Sequence, residues 1–431
     1  MLAAGVGAGA LLAAARLPGL RAGQSGVGVG VRPRPHLPEG VDTIPEIQHV
    51  VVVMMENHTF DNYLGVLGRG NGLPVDRHGK PTPVNTDATG RPVRSFRMPG
   101  FTQLPHEPSN GWNAGHISMN GFRNDGFVRA SSSVAMGYWT PEDLPFYAGL
   151  ARTFVLADRW FSSVAAKTFP NRCFLLAATA NGTITNVIPN APANGTILER
   201  LDAHGISWKN YYSTLGTALL FPAGRAAPTK VVPVAQYFAD AAAGTLPFFS
   251  LVDPDFDKGS EENPQDIRVG EAFAARVINA ALQGPAWDKT LLVWCYDEGG
   301  GYYDHVPPPR AVVPDAVPPA ITVPPDQPGG YNRYGFRVPA VIVSPRARRG
   351  HVSQVVYDHT SILRFIETKW NLPALTARDA HAANLLDCLD LRGRPAFLHP
   401  PTLPAPAMPV TPPAPPLDPS ALPVGVPSGP P

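Results

Sequence analysis

Apolar residues in this chain fall into a few short unbroken runs, separated by long polar and Pro/Gly-rich stretches. Residues 47–55 (Ile-Gln-His-Val-Val-Val-Val-Met-Met) are nearly continuous, which is the pattern of a strand buried on both faces. Residues 248–252, 290–296 and 338–343 have the same character. Between them, residues 141–150, 170–180, 266–282 and 359–370 carry apolar positions at helical spacing. Thr140 precedes the first of these as a cap, with Glu142 and Asp143 in its first turn. This alternation predicts an α/β fold, a mostly parallel sheet sandwiched by helices, whose chemistry gathers at the carboxyl ends of the strands. Residues 66–110 and 306–337 are too long for plain connections. They predict loop insertions that wall a site or form a cap over it.

The ends of the chain read differently. Residues 1–15 form an uncharged apolar run, too short to span a bilayer, that resembles the hydrophobic core of an export signal ending near Ala13, Ala14 and Ala15. The basic segment that should precede it is missing, so the expectation is a truncated twin-arginine (Tat) or Sec signal. A plain Ala/Gly tail is the alternative. Residues 1–45 are therefore expected to be signal remnant and linker, 46–394 the folded unit, and 395–431 a Pro-rich disordered tail. A secreted or periplasmic, cell-envelope location follows from this reading, with no transmembrane segment in the mature protein.

Composition narrows the choice of partner. Of 431 residues, 44% are hydrophobic and 16% charged, and the net charge is only +1. That balance supports a sizeable core and argues against a nucleic-acid partner. Arg346, Arg348 and Arg349 make one tight basic cluster, read as a solvated loop. Cys173, Cys295 and Cys388 lie far apart in apolar contexts. They offer no cysteine zinc site, and one disulfide among them is left open.

Three segments concentrate chemistry. Glu56 and Asn57 leave the first strand together and offer two hard oxygen ligands, although a polar strand end capped by Asn57 or Thr59 would read the same. Asp297 and Glu298 follow another buried run, where adjacent carboxylates repel unless a cation lies between them. Gly299, Gly300 and Gly301 then allow a tight turn towards Asp304 and His305. Thr168 stands just before Pro170 at a helix start, where the dipole and free amides favour an anion, and Arg172 could grip phosphate oxygens. An ordinary Thr cap is the competing reading. His106, His305 and His359 add imidazoles able to protonate a leaving oxygen.

Taken in order, these motifs resemble the bacterial phosphoesterase family of secreted phospholipases C and a respiratory-burst-inhibiting acid phosphatase, to which plant non-specific phospholipases C also belong. The resemblance is carried by Glu-Asn-His-Thr-Phe-Asp-Asn-Tyr-Leu-Gly at 56–65, Asn-Gly-Phe at 120–122 and Thr-Phe-Pro-Asn-Arg at 168–172. Asp-Glu-Gly-Gly-Gly-Tyr-Tyr-Asp-His at 297–305 and Asp-His-Thr-Ser at 358–361 complete it. It implies an alkaline-phosphatase-like fold and one divalent metal ion, calcium, zinc or another, held by Glu56, Asn57, Thr168, Asp297 and Glu298. It also implies a phosphate pocket with His106, His305 and His359 as catalytic residues, and with Arg172, Asn120, Asp304 and Asp358 assigned to the substrate. One departure stands out: Asn263 occupies a position where relatives commonly carry His.

The expected reaction is hydrolysis of phosphate esters through a covalent Thr168 intermediate, of phospholipase C type on phosphatidylcholine-like diesters, with phospholipid headgroups at a membrane surface as partners. Acid phosphatase action on monoesters is the alternative. A non-catalytic surface or binding protein that keeps the fold is the second.

Overall fold

A computed structural model describes residues 28–102 and 108–408. The run at 47–55 forms β1 (His49–Met55), with every residue after His49 buried. Seven further strands join it: β2 (Val155–Ala157), β3 (Trp208–Tyr212), β4 (Val231–Pro233), β5 (Phe249–Asp253), β6 (Thr290–Tyr296), β7 (Ala340–Val343) and β8 (Val352–Ser353). Their spatial order is β8-β2-β7-β6-β1-β5-β3-β4. β1 lies parallel to both β6 and β5 at the centre, while β7 is antiparallel to both of its neighbours. Unbroken burial along β1, β5 and β6 shows that both faces of the sheet are covered.

The helices used below are α1 (Phe60–Leu64), α2 (Trp112–Met119), α3 (Pro145–Thr153), α4 (Thr168–Ala177), α5 (Val234–Ala243), α6 (Ile267–Gln283) and α7 (Thr360–Trp370). α3, α5 and α6 pack as one group, with α6 lying against β1 and β6, and α4 packs against α7. α3 begins at Pro145, four residues later than the sequence suggests. Thr140 and Asp143 instead bond to each other in the turn before it. Proline suits the first helical position and holds the preceding residue out of helical geometry, so it sets the start.

Segments expected to be linker and tail also pack on this unit. Gly30 N donates to Ala374 O, and Asn371 Nδ2 donates to the carbonyls of Arg34, Leu37 and Pro38. Beyond residue 394, Phe397 is buried and its carbonyl accepts from Trp287 Nε1, while Ala407 N donates to Glu271. A Pro-rich chain lacks amide donors but keeps every carbonyl, so it can be fixed by donors from the domain. The export-signal reading of residues 1–15 lies outside the described residues. Among those described, no helix is long and apolar enough to cross a membrane, and all three cysteines are buried and unpaired.

Candidate active site

β1 and β6 are paired in register, Met55 opposite Tyr296, so their next residues leave the sheet side by side. Asp297 N extends the ladder by donating to Met55 O at 3.1 Å. Glu56–Asn57 and Asp297–Glu298 thus converge at the carboxyl ends of two adjacent parallel strands, and all four residues are buried. Asn57 turns the chain with φ 73°, a left-handed conformation that Asn tolerates better than most residues. Gly300 closes against it. A Cβ at Gly300 would lie 1.8 Å from Asn57 O, so only glycine fits there.

Charge is unbalanced at this point. Burial, reinforced by the neighbouring Asp297, pushes the Glu56 carboxyl well above its usual range. Burial and Asp297 act likewise on Glu298. Asp297 is also raised, chiefly by burial, although Arg172 opposes the shift. Glu298 Oε1 accepts from Asn110 Nδ2 at 2.5 Å and Oε2 from Gly300 N at 2.7 Å. By contrast, Glu56 Oε2 and Asn57 Oδ1 are buried with no hydrogen-bond partner among the described residues. Unpaired buried oxygens beside three carboxylates are costly unless a cation meets them. A hard oxygen set of this kind fits a divalent ion.

Arg172 faces inward. Its Nε donates to Asp297 Oδ2 at 3.1 Å, Nη1 to Asp253 Oδ1 at 2.8 Å and to Thr217 Oγ1, and Nη2 to Met54 O. Glu56 Oε1 lies 3.8 Å from Nη2. The phosphate-gripping role expected of this arginine is therefore corrected: fully buried, it holds the carboxylates of the site in place.

Thr168 is the first residue of α4, one turn before Arg172, so the two share a helix face. Its hydroxyl forms no hydrogen bond among the described residues. Asn171 fixes the approach, accepting from Val164 N and donating to the carbonyls of Val164, Ala166 and Lys167. A cleft beside Glu298 is lined by Ser109, Asn110, Ala165, Ala166 and Gly299 as well.

Two of the other expected site residues, Asp304 and His305, belong to a second cluster. Arg337 is buried between Asp304 Oδ1 (2.9 Å) and Asp61 Oδ1 (3.0 Å), and His305 Nδ1 meets Asp61 Oδ2 at 2.7 Å. The ligand atoms of Asp61, Asp304 and His305 lie within 4.8 Å of one another, close enough to hold a metal ion. Arg337, with His305 when it is protonated, already offsets the charge of these two carboxylates, however, so this group has less need of a cation than the first. Burial disfavours a charged His305, but the hydrogen bond and charge of Asp61 outweigh it and raise its pKa. Asp304 is held up at about 6 by burial against Arg337. Asp358 is engaged by Ser163, Thr360 and Arg378, and Asn120 bonds to Asp125, so neither is linked by hydrogen bonds to the first group. His359 is linked to it through Asp297 O. His106 lies outside the described residues.

The sequence reading missed Asn110, Asp253, Asp61, Arg337 and Glu261. Asp253 ends β5, beside β1, and that strand-end position could have revealed it. Glu261 left no such signal. It is a buried carboxylate that accepts from Tyr63 Oη (2.8 Å), Tyr147 Oη (2.6 Å) and Tyr296 Oη, while Ser260 O next to it accepts from Glu56 N. Burial holds it up at about 8 despite these three donors.

Comparison with known proteins identifies relatives of this chain. The Phosphoesterase family matches residues 47–373. Non-specific phospholipase C1 of Arabidopsis thaliana is 32% identical over 403 residues, covering 84% of this chain and 73% of that protein. Phospholipase C A of Mycobacterium tuberculosis is 28% identical over 393 residues, covering 77% and 74%. Among solved structures, a protein in the alkaline phosphatase superfamily from Vibrio parahaemolyticus shares 68% of this chain and 75% of its own at 10% identity and a TM-score of 0.34, too distant to bear on the reading. With three quarters of its length matched in one ordered set of motifs, the chain belongs to the phosphoesterase family and is a hydrolase acting on phosphoric ester bonds.

Proposed function

We propose that this enzyme cleaves phosphatidylcholine-like phosphodiesters in the manner of a phospholipase C, through a covalent intermediate on Thr168. The observation that carries the proposal is the unengaged Thr168 hydroxyl at the N-terminus of α4, one turn from an arginine bonded to Asp297. The Arabidopsis and Mycobacterium relatives are phospholipases C by name, which supports the diester choice.

Glu56, Asn57, Asp297 and Glu298, with the Thr168 hydroxyl, are the residues that would hold a divalent ion. When bound, the ion supplies Lewis acidity and lowers the pKa of a hydroxyl it touches. The Thr168 hydroxyl gives up its proton as Oγ attacks phosphorus, the bond from phosphorus to the glyceride oxygen breaks, and that oxygen takes up a proton in exchange. The positive end of the α4 dipole, at whose first residue Thr168 stands, stabilises the added negative charge. Water then cleaves the phosphothreonine ester, restoring the Thr168 hydroxyl and releasing the phosphorylated headgroup. His359 is a poor proton donor, because burial lowers its pKa to about 4. His305, whose pKa is raised, and His106 are the candidate acids. Action outside the cytoplasm accords with this substrate and rests on the apolar run at 1–15.

The test compares p-nitrophenyl phosphorylcholine with p-nitrophenyl phosphate, with and without EDTA, alongside Thr168→Ala. Preference for the choline diester, lost with EDTA and in the variant, is the expected result. Preference for the monoester would make the enzyme a phosphatase, and full activity in Thr168→Ala would remove the covalent mechanism.

A further inference from the structure

Residues 181–198 contain no charged residue and no histidine, and neither do residues 316–325. Both are loops, the first running into a short helix at Ile197, and they present branched aliphatic side chains to solvent: Val187 is 56% exposed, Ile188 45%, Val317 40% and Val323 56%. Single exposed aliphatics are ordinary, but these four sit on two segments that abut, Ala320 N donating to Gly182 O at 2.8 Å. Beneath them, Ile321 packs on a buried cluster that includes Ile184, Phe174 and Ala166, and Ala166 also lines the cleft. The first loop is tied to the catalytic segment directly, since Asn186 Oδ1 accepts from the amide of Phe169, the residue after Thr168.

From this arrangement we infer that Val187, Ile188, Val317 and Val323 form a docking surface for a membrane of zwitterionic phospholipid, which sets lipid headgroups in front of Thr168. A protein partner would be met by aromatic and arginine anchors, and these two segments contain neither. Aliphatic, Pro, Thr and Asn side chains without charge suit the boundary between headgroups and acyl chains. The same lack of lysine and arginine leaves nothing to select anionic lipid. The inference rests on the phospholipase reading above for its purpose, but the binding it describes can be measured separately.

The experiment uses the full chain, loaded with metal, in flotation with phosphatidylcholine vesicles and with vesicles containing phosphatidylserine. It compares Val187→Ser/Ile188→Ser with Val75→Ser, an exposed control on a different loop (52% exposed). Loss of two inserted aliphatic side chains is expected to weaken binding to phosphatidylcholine by about tenfold or more, without salt dependence. Hydrolysis of soluble p-nitrophenyl phosphorylcholine should be unchanged in both variants. Undiminished vesicle binding in the double variant would overturn the inference. So would binding that requires phosphatidylserine, or self-association of the wild type that the double variant abolishes. If the wild type binds vesicles through this surface yet hydrolyses no soluble ester, the docking inference stands and the diesterase reading falls.

Discussion

Nε2 of His359 donates a 2.7 Å hydrogen bond to the backbone oxygen of Asp297. A carbonyl can only accept, so the ring is protonated at Nε2, and its Nδ1 faces Trp160 Nε1 at 3.4 Å. His359 is thereby a support for the strand end that carries two candidate ligands. His359→Ala is expected to lower kcat or metal affinity by about 10- to 100-fold, as removal of an outer-shell partner does elsewhere. The acidic limb of the pH–rate profile should stay where it is. A shift of that limb would show that the imidazole itself exchanges protons with substrate.

Two clusters of acids compete for a cation, and substitution separates them. Asn57→Gly removes the orphaned Oδ1 while accepting the positive φ, and Glu56→Gln removes a charge. Each is expected to weaken divalent-ion affinity by at least about a hundredfold, measured by titration calorimetry. Asp61→Asn should leave one ion bound per chain while lowering the melting temperature, because it breaks the pairing with Arg337 and His305. The reverse pattern would move the metal centre to Asp61, Asp304 and His305.

Arg172→Met leaves Asp253 and Asp297 buried without their cation. Removal of one partner from such a network costs about 3–5 kcal/mol, so denaturant midpoints should fall accordingly. Added divalent ion should recover part of this loss by offsetting the stranded carboxylates. Stability that is unchanged would mean that the acids are neutral in the folded protein.

Glu261 gives the protein a pH dependence of opposite sign to that of an ion-paired carboxylate. Its folded pKa is raised to about 8 by burial, above an unfolded value near 4.5. Between those values the folded state holds the extra proton. The stabilisation is therefore complete below pH about 4.5 and is lost as pH rises through about 8. Glu271, raised to about 7 by burial, adds to the same slope. Denaturation at pH 5 and pH 8 is expected to differ by on the order of a few kcal/mol, and Glu261→Gln should flatten the difference. An unchanged slope in the variant would assign the effect to other groups.

Much of the central sheet was legible because its strands are apolar on both faces. Residues 290–296 form β6 with the boundaries expected, and β1 and β5 differ by a residue or two. The antiparallel direction of β7 was not legible, since an apolar run reads the same whichever way it enters the sheet. β3 (Trp-Lys-Asn-Tyr-Tyr) was missed because Lys209 and Asn210 break its hydrophobic pattern. The lysine meets Asp240, and the amide of Asn210 bonds to Asp253. Ligand candidates at strand ends could be read from type and position. The inward turn of Arg172 could not, because it depends on Asp253 and Thr217, which only the folded sheet brings within reach.

The two candidate ligand pairs belong to neighbouring strands but lie far apart in the chain, Asn57 and Asp297 being separated by 240 residues. An ion shared between them would act as a removable cross-link closing a loop of that length. Chelation would then withdraw a tether from the middle of the sheet as well as a cofactor from the site. Heat and proteases should then find the stripped protein easier to open at β1 and β6, and metal supply would become a condition for the enzyme's persistence as well as for its turnover.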